Sequence, residues 1–390
     1  MRNSDHNDHK YQYQVSHRYF AQTQRLLEPI ARDELEELGA QRCAEAYCGV
    51  YFEADPVVLY NIIYCVRTVN RVLAPLVSFP CPSEKVLYKH AYDFPWHGFF
   101  GLKKTFAVTA NVANSRINHS HFAALRVKDA IVDRFRRELG KRPDVNPSEP
   151  DLLFNLNINE NKAVISLDVS GVSLHRRGYR KESVAAPLQE SLAAAIIRIS
   201  GWAGEKPLLD PMCGSGTFLA EALMKYSNIP AGFKRDSFGL FHLPDFDRSS
   251  WKNIKFACDK NMRVCPNGLI SGSDIDPIAV KAATDNLKNL PHSSQISILQ
   301  RDFRDIPNAE GHTIIINPPY GFRLAPGDEE ELQALYRHIG DFLKKKCTGS
   351  TAYILCGEKE LTKHIGLKIS RRIPLYNGPI EARLVKIELY

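Results

Sequence analysis

A glycine-rich segment in the second half of the chain has the pattern of a nucleotide-binding turn. It runs from Leu208 through Leu-Asp-Pro-Met-Cys-Gly-Ser-Gly-Thr and joins an apolar strand to the start of a helix, which is where doubly wound folds bind nucleotides. The third glycine of the dinucleotide pattern is replaced by Leu219, and no Gly-Lys-Ser/Thr follows for a P-loop. A carboxylate immediately before the turn would repel a pyrophosphate and attract a cation. S-adenosylmethionine carries an ammonium and a sulfonium but no phosphate, so we expect it here. The expected contacts are Asp210, Cys213, Gly214, Ser215 and Gly216.

Acidic residues follow the next two predicted strands. In the segment from Ser273 to Pro277, Asp276 precedes proline and fits a helix cap, which leaves Asp274 to accept the ribose hydroxyls. After the third strand, Asp302 could accept from the adenine amine and Phe303 could pack near the ring. We therefore predict that both segments belong to the cofactor site.

The segment Asn317-Pro318-Pro319-Tyr320 follows the apolar strand that ends at Ile316. A base amine is a poor nucleophile because its lone pair is delocalised into the ring. Two acceptors, the Asn317 side-chain oxygen and the Pro318 carbonyl, would draw the amine towards a pyramidal form, and the prolines restrict the backbone that carries both acceptors. The ring of Tyr320 can stack on a base taken out of its helix. We predict that these four residues are catalytic.

Two stretches concentrate positive charge. Between residues 116 and 142, eight Lys or Arg occur with three acids, and between residues 175 and 181 four occur with none. RNA phosphates attract such surfaces, although a solvated helix face that serves solubility is the alternative. The candidates for RNA contact are Arg126, Lys128, Arg134, Arg137, Arg176, Arg177 and Arg180.

The chain of 390 residues is 44% hydrophobic and 24% charged, with a net charge of +7. It is long enough for two or three compact units, and its composition is that of ordinary soluble proteins. Its polar start lacks the core of a secretory signal, and no apolar run could cross a bilayer, so we expect a cytoplasmic protein with no membrane partner. Nine cysteines occur without a Cys-x-x-Cys pair or matching histidines, so we expect neither disulfides nor a metal site.

The hydrophobic pattern changes near residue 171. Before it, short strands and helices predict two small α+β units, with one helical stretch over 57–73 and a basic amphipathic helix over 122–139. After it, strands and helices alternate, which predicts a doubly wound parallel sheet. Residues 228–251 are predicted to form an irregular insertion.

Together these motifs resemble, over nearly the whole chain, the bacterial 23S rRNA guanine-N2 methyltransferases, which join a ferredoxin-like segment and a THUMP domain to a Rossmann-type class I methyltransferase. The matching stretches begin at Val127, Leu174, Leu209, Gly272 and Asn317. The resemblance implies an α/β fold in which a Rossmann-type methyltransferase domain follows two α+β domains. Since the polar start of the chain predicts a disordered tail (1–16), the predicted division continues with a ferredoxin-like segment (17–59), a THUMP RNA-binding domain (60–170) and a methyltransferase domain (171–390).

The resemblance also implies functional roles for particular residues. The THUMP domain would hold structured RNA, and Asn317 with Tyr320 would hold the target base. The implied cofactor contacts are Asp210, Gly214, Gly216, Asp274 and Asp302. Many relatives continue into a second methyltransferase unit that this chain lacks, so we expect a single activity.

The leading hypothesis is S-adenosylmethionine-dependent N2-methylation of a guanine in 23S rRNA. A tRNA guanine-N2 methyltransferase with a THUMP domain is the first alternative, because it shares the same motif. A DNA adenine-N6 methyltransferase uses a similar N-P-P-Y but would not be expected to carry the THUMP-like region. An inactive RNA-binding assembly factor is the third, and the intact Asp210, Gly214, Gly216 and Asn317 weigh against it.

Overall fold

The computed structural model of the protein describes residues 10–182, 188–319 and 329–390. Two seven-stranded sheets organise these residues, one in each half of the chain. The first sheet contains β1 (Arg18–Gln22), β2 (Gln41–Ala46), β3 (Gly49–Glu53), β4 (Arg71–Pro80), β5 (Phe106–Ala113), β6 (Leu152–Asn159) and β7 (Lys162–Asp168). Its order is β2-β3-β1-β4-β7-β6-β5, and only β5 and β6 pair in parallel. Because β4 lies between β1 and β7, one sheet runs through both predicted α+β units.

Six helices accompany the first sheet. They are α1 (Gln12–Ser16), α2 (Glu28–Glu37), α3 (Pro56–Cys65), α4 (Glu84–Asp93), α5 (Trp96–Phe99) and α6 (Ser120–Leu139). Helix α6 ends at Gly140, whose φ of +68° suits glycine because it has no Cβ. The buried faces of these elements share one apolar core around Trp96, Phe135 and Phe154.

The second sheet confirms the predicted doubly wound architecture. Its strands are β8 (Leu208–Asp210), β9 (Ile270–Asp274), β10 (Ser297–Gln300), β11 (Thr313–Ile316), β12 (Thr351–Cys356), β13 (Arg371–Asn377) and β14 (Ile380–Glu388). In the order β10-β9-β8-β11-β12-β14-β13 the first five strands are parallel, and β14 is antiparallel to both neighbours. The helices of this half are α7 (Glu190–Ile199), α8 (Thr217–Tyr226), α9 (Arg248–Lys260), α10 (Pro277–Leu287) and α11 (Glu329–Lys346).

The prediction of a disordered tail over residues 1–16 is wrong for its last residues. Residues 1–9 lie outside the part of the chain that the structure describes. Residues 12–16 form α1, and Tyr13 is buried with its hydroxyl donating to Oδ1 of Asp245 at 2.5 Å. Its ring also packs against those of Tyr11 and Tyr19. The polar average of the segment hides these aromatic residues, which supply enough buried surface to order it.

Two further predictions differ from the structure. The helix over 57–73 is too long, because α3 ends at Cys65 and Val66 is already extended. The expected boundary between residues 59 and 60 therefore falls inside a helix. The predicted irregular insertion over 228–251 ends in a regular helix, since Asp247 caps α9 by accepting from the backbone of Ser250 at 2.8 Å.

All nine cysteines are free thiols. In the residues that the structure describes, no group of His, Cys, Asp and Glu side chains is arranged to hold a metal ion. None of the described helices combines the length and the apolar character that a membrane span requires.

Candidate active site

Four parallel strands bring the predicted chemical groups to one edge of the second sheet. Asp210 ends β8 and Asp274 ends β9, while Asp302 and Asn317 closely follow β10 and β11. These strands are neighbours in the order β10-β9-β8-β11, and Asp210 lies opposite Gly272 of β9. The carboxyl ends of adjacent parallel strands meet at the same edge, where doubly wound folds bind ligands. The three carboxylates and the Asn317 amide therefore belong to one region.

Two glycines allow the chain to turn sharply between β8 and α8. Gly214 has a φ of +52° and Gly216 a φ of +80°, a region that side-chain-bearing residues rarely adopt. A Cβ added to Gly216 would lie 3.0 Å from the Cβ of Ala283 on α10. The backbone N–H of Gly214 donates to Oδ2 of Asp274 at 2.8 Å. The turn is thus held against both the end of β9 and the helix that follows it.

Asp210 is enclosed by the protein, with 2% of its surface exposed. The backbone N–H of Met212 donates to its Oδ1 at 3.2 Å. Burial raises the pKa of Asp210 well above its usual range, and the nearby Asp274 carboxylate adds to the rise. A cation beside Asp210 would restore its charged form. The electrostatics of the turn therefore favour a cationic ligand.

Asp274 and Asp276 have separate roles. Asp276 caps a helix, as its position before Pro277 predicted. The Oδ1 of Asp276 accepts from the backbone N–H of Ile278 at 2.8 Å and caps α10. Asp274 is half-buried, and its Oδ1 accepts from the backbone N–H of Asp276 at 3.0 Å. Each carboxylate oxygen can accept more than one hydrogen bond. Asp274 can therefore anchor the turn and still accept from ribose hydroxyls.

A cavity of about 350 Å³ is lined by the carboxylates of Asp274 and Asp302, and its volume is within the range of small-molecule sites. Its lining residues are Pro211, Met212, Asp274, Ile275, Asp302, Phe303, Arg304, Glu331, Ala334, Leu335 and His338. Hydrogen bonds from Arg304 to the Asp302 carboxylate lower the pKa of Asp302. Phe303 is buried and meets Phe342 edge-on, with ring centroids 5.7 Å apart. Asp302 and Phe303 thus supply a charged acceptor and an aromatic wall to one cavity.

Asn317 and its two prolines follow β11, which lies beside β8. Ile314 of β11 pairs with Leu209 of β8, so the segment emerges next to Asp210. Asn317 is half-buried, Pro318 is buried and Pro319 is exposed. Tyr320 lies outside the described residues, and its stacking role stays a prediction.

The structure corrects the predicted RNA contact of Arg177, because this side chain is 1% exposed. Its Nε donates to Oε1 of Glu221 at 3.2 Å, and its Nη1 and Nη2 donate to the carbonyls of Leu174 at 2.6 Å and Arg67 at 2.5 Å. Arg177 therefore joins the first half of the chain to α8, which carries Glu221. The preceding Arg176 is exposed and stays a candidate for RNA contact.

The predicted RNA contact of Arg180 is wrong for the same reason, since this side chain is also largely buried. Its side chain is 15% exposed, and its Nε donates to Oε1 of Glu190 at 3.0 Å. Its Nη2 donates at 3.0 Å to the Leu188 carbonyl and to Oγ1 of Thr217. Because Thr217 is the first residue of α8, Arg180 braces the helix behind the glycine turn instead of facing a phosphate.

Three arginines of α6 pack on tyrosines of α4. The Arg126 guanidinium lies 4.8 Å from the ring centroid of Tyr88, and those of Arg134 and Arg137 lie 5.7 and 6.0 Å from that of Tyr92. Acidic neighbours compensate part of this charge, since Arg134 pairs with Glu138 and Lys128 with Asp129. Arg137 is exposed and the other three basic side chains are half-buried. This face is basic and pre-ordered, and its contact with RNA stays a prediction.

Sequence reasoning missed Glu221, Arg304 and Asn286. Glu221 stands alone among apolar residues of α8, and an acid in such a place must find a buried cation. That pattern could have found it. Arg304 lies two residues after its partner Asp302, and that spacing could have found it. Nothing local marks Asn286, because its partners come from other segments of the fold.

Three family models match the chain. Residues 18–73 match the RlmL ferredoxin-like domain, residues 81–168 match the THUMP domain, and residues 177–386 match the RMKL-like methyltransferase domain. The last match alone covers more than half of the 390 residues. The gap between the first two matches falls within β4.

Curated relatives agree with these matches. The "Putative RNA methyltransferase slr0064" of Synechocystis sp. is 40% identical over 374 residues, which are 95% of this chain and 97% of that protein. The "Ribosomal RNA large subunit methyltransferase K/L" of Syntrophotalea carbinolica is 37% identical over 95% of this chain and 53% of its own length. The K/L protein of Photobacterium profundum is 36% identical, with 52% of its length covered. The chain thus spans about half the length of the K/L relatives.

Solved structures share the architecture over almost the whole chain. SMU.472, solved in complex with SAH, has a TM-score of 0.84 at 27% identity and covers 96% of this chain and 98% of its own. A protein of Listeria monocytogenes described as a predicted N6-adenine-specific DNA methylase has a TM-score of 0.83 at 26% identity, with 96% of both chains covered. From the fold, the site and these matches, the chain belongs to the RMKL-like methyltransferase family, with an RlmL ferredoxin-like domain and a THUMP domain before the methyltransferase domain.

Proposed function

We propose that the protein transfers a methyl group from S-adenosylmethionine to the exocyclic N2 of a guanine in 23S rRNA. The observation that carries this proposal is the enclosed Asp210 at the glycine turn, on the same sheet edge as the Asn317-Pro-Pro segment. The K/L relatives are named as large-subunit ribosomal RNA methyltransferases, and the structure of SMU.472 contains SAH. Because the chain spans about half of each K/L relative, their substrate is carried over only as part of this proposal.

The residues at the sheet edge fit the proposed cofactor. Asp210 meets the ammonium, since a buried carboxyl with a raised pKa gains most from a cation. Asp274 accepts from the ribose hydroxyls and Asp302 from the adenine amine, while Phe303 forms the wall of the 350 Å³ cavity. The turn of Cys213, Gly214, Ser215 and Gly216 is bonded to Asp274, which lines the cavity, and its backbone contacts the cofactor in this proposal. When bound, the cofactor supplies an electrophilic methyl group.

The Asn317 segment activates the target amine. The side-chain oxygen of Asn317 and the Pro318 carbonyl accept from the two hydrogens of the amine, which frees the nitrogen lone pair. Pro318 and Pro319 fix the backbone on which these acceptors stand. Once methylated, the nitrogen loses one proton to solvent by way of the acceptor bonded to it. Catalysis therefore comes from positioning and from preorganised acceptors, and needs no strong base. The ring of Tyr320 stacks on the target base in this proposal.

RNA is held by the first half of the chain. The THUMP match covers α6, whose basic face is ordered by stacking on the tyrosines of α4. Together with the exposed Arg176, this face offers phosphate contacts that position a structured RNA without reading its sequence. The candidate contacts on this face are Arg126, Lys128, Arg134 and Arg137.

Methyl transfer to three nucleic acids side by side tests the proposal. Purified protein with labelled S-adenosylmethionine is given 23S rRNA, tRNA and duplex DNA, and the modified nucleoside is identified by mass. We expect N2-methylguanosine in 23S rRNA. The same product in tRNA alone would move the substrate to tRNA, N6-methyladenine in DNA would replace the reaction, and no product in any arm would contradict enzymatic activity.

A further inference from the structure

One side of α10 and the residues just after it contact both the glycine turn and the segment that arrives from the first half of the chain. Ala283 is the residue against which Gly216 packs. Asn286, three residues further on, donates from Nδ2 to the carbonyl of Ser215 at 3.1 Å, between the two glycines of the turn. Asn289, three residues beyond, donates from Nδ2 to the carbonyl of Tyr179 at 2.9 Å.

The Asn286 amide is 1% exposed and uses its full hydrogen-bonding capacity. Its Oδ1 accepts from the backbone N–H groups of Lys181 at 2.8 Å and Glu182 at 3.0 Å. Its Nδ2 donates to the carbonyls of Glu182 at 2.9 Å and Ser215. A buried amide with four partners fixes their relative positions, because any displacement leaves a polar group unpaired.

The segment from Leu174 to Glu182, whose end is hydrogen-bonded to Asn286, is also hydrogen-bonded to the first half of the chain. The backbone N–H of Leu174 donates to the Asn70 carbonyl at 2.7 Å, and Arg177 donates to the Arg67 carbonyl. Asn286 therefore lies where the segment from the RNA-holding half meets the turn that faces the cofactor. Asn286 is not among the residues that line the 350 Å³ cavity.

We propose that Asn286 is a positioning residue that holds the turn of residues 213–217 in the shape that accepts the cofactor, at a fixed place relative to the RNA-holding half. It acts through the Ser215 carbonyl, whose orientation sets the backbone between Gly214 and Gly216. This inference rests on the proposed location of the cofactor. It assigns a role in cofactor binding to a residue with no direct cofactor contact.

Asn286→Asp against Asn289→Asp is a matched test. Asn286→Asp keeps the acceptor oxygen for Lys181 and Glu182 but places a second oxygen against the Ser215 carbonyl. Asn289→Asp makes the same change one turn later, where the carbonyls of Tyr179 and Asp285 are the partners and the turn is untouched. Both variants lose donors to two backbone carbonyls, but Asn286 is buried and Asn289 is half-buried, so the melting temperature of each variant is needed to measure the structural cost separately from SAH affinity.

The measurements are SAH affinity by calorimetry without RNA and the melting temperature of each variant. We expect Asn286→Asp to weaken SAH binding by about tenfold or more, the cost of an unpaired buried group at the turn, and Asn289→Asp to stay within about twofold of the wild type. Asn286→Ser lacks both the amide donor and the second carboxylate oxygen of the aspartate variant. It should also weaken SAH binding, and it replaces Asn286→Asp in the test if that variant does not fold. SAH affinity that is unchanged in the Asn286 variants, or equally weakened in Asn289→Asp, would overturn the inference.

Steady-state kinetics separates this inference from the proposed function. We expect the KM for S-adenosylmethionine to rise with the SAH dissociation constant in Asn286→Asp. If the wild type binds SAH but methylates no RNA, the proposed function fails while selective loss of SAH affinity in Asn286→Asp still supports the inference. If the wild type methylates RNA and the Asn286 variants bind SAH normally, the inference alone fails.

Discussion

Replacing Arg177 tests whether this arginine joins the two halves of the protein or contacts RNA. In Arg177→Met the fully buried Glu221 carboxylate would lose its hydrogen-bonded cation and keep only the charge of the nearby Arg67, since the side chains of Arg177 and Glu221 are almost completely enclosed. Removing one partner of a buried ion pair costs about 3–5 kcal/mol. For domains of 150–250 residues, this corresponds to a melting temperature lower by about 6–20 °C.

The matched control is Arg176→Met, which removes the same charge from the adjacent exposed position. We expect its free energy of unfolding to stay within about 0.5 kcal/mol of the wild type, as exposed substitutions do. Burial raises the pKa of Glu221 even with Arg177 present. Without Arg177 the folded-state pKa rises further, so the deficit of Arg177→Met should shrink as the pH falls towards the unfolded pKa of glutamate.

Urea denaturation of both variants across a pH series, with RNA affinity measured in parallel, decides the question. The double variant Arg177→Met with Glu221→Leu should recover part of the lost stability, because an apolar pair can replace a buried ion pair, while the carbonyls of Leu174 and Arg67 still lack the donors of Arg177. An Arg177→Met protein with wild-type stability and a weaker salt dependence of RNA binding would refute the structural role.

Three further predictions concern the cofactor and RNA sites. Because burial raises the pKa of Asp210, the folded protein without cofactor loses stability as the pH rises from the unfolded pKa through the folded pKa. Asp210→Asn should abolish this loss, raise the melting temperature at neutral pH and remove SAH binding. Melting temperatures over a pH series and calorimetry with SAH check this, and a variant that matches the wild type in both would contradict it. Asp274→Ala should weaken SAH binding by about 10- to 150-fold through the loss of charge-assisted hydrogen bonds, and an unchanged dissociation constant in folded protein would move the ribose site elsewhere. Neutralising Arg126, Arg134, Arg137 and Arg176 should lower the salt slope of RNA binding by up to about 0.9 per lost phosphate contact, whereas neutralising the exposed Lys344, Lys345 and Lys346 of α11 should not; equal slopes in all proteins would show that the arginine charges serve only solubility.

The second half of the fold was predictable because its strands are short apolar runs bounded by chemically distinctive turns. Asp210, Asp274 and Asn317 each follow such a run, and adjacency of parallel strands brings them to one edge. Strand β13 escaped prediction, since Pro374 within it suggests a loop. The structure places β13 at the edge of the sheet, where proline is tolerated.

The roles of the basic residues were only partly predictable from sequence. Arg176, Arg177 and Arg180 look alike in a charged run, yet the first is exposed and the other two are held by buried acids. Their partners, Glu221 and Glu190, lie 44 and 10 residues away. Charge density along the chain therefore identifies a cationic segment but does not tell which of its members face solvent.

The Asn317→Ala variant tests the central claim most directly, because the proposed chemistry depends on this acceptor. The measurement is single-turnover methyl transfer to 23S rRNA at saturating S-adenosylmethionine, with SAH affinity determined on the same preparation and Asn308→Ala, an exposed asparagine in the preceding loop, as control. We predict that Asn317→Ala lowers the transfer rate by about a hundredfold or more, as loss of a preorganised donor or acceptor does. SAH affinity should stay near that of the wild type. Asn308→Ala should keep the wild-type rate. A rate of N2-methylguanosine formation in Asn317→Ala equal to that of the wild type would contradict the proposed mechanism.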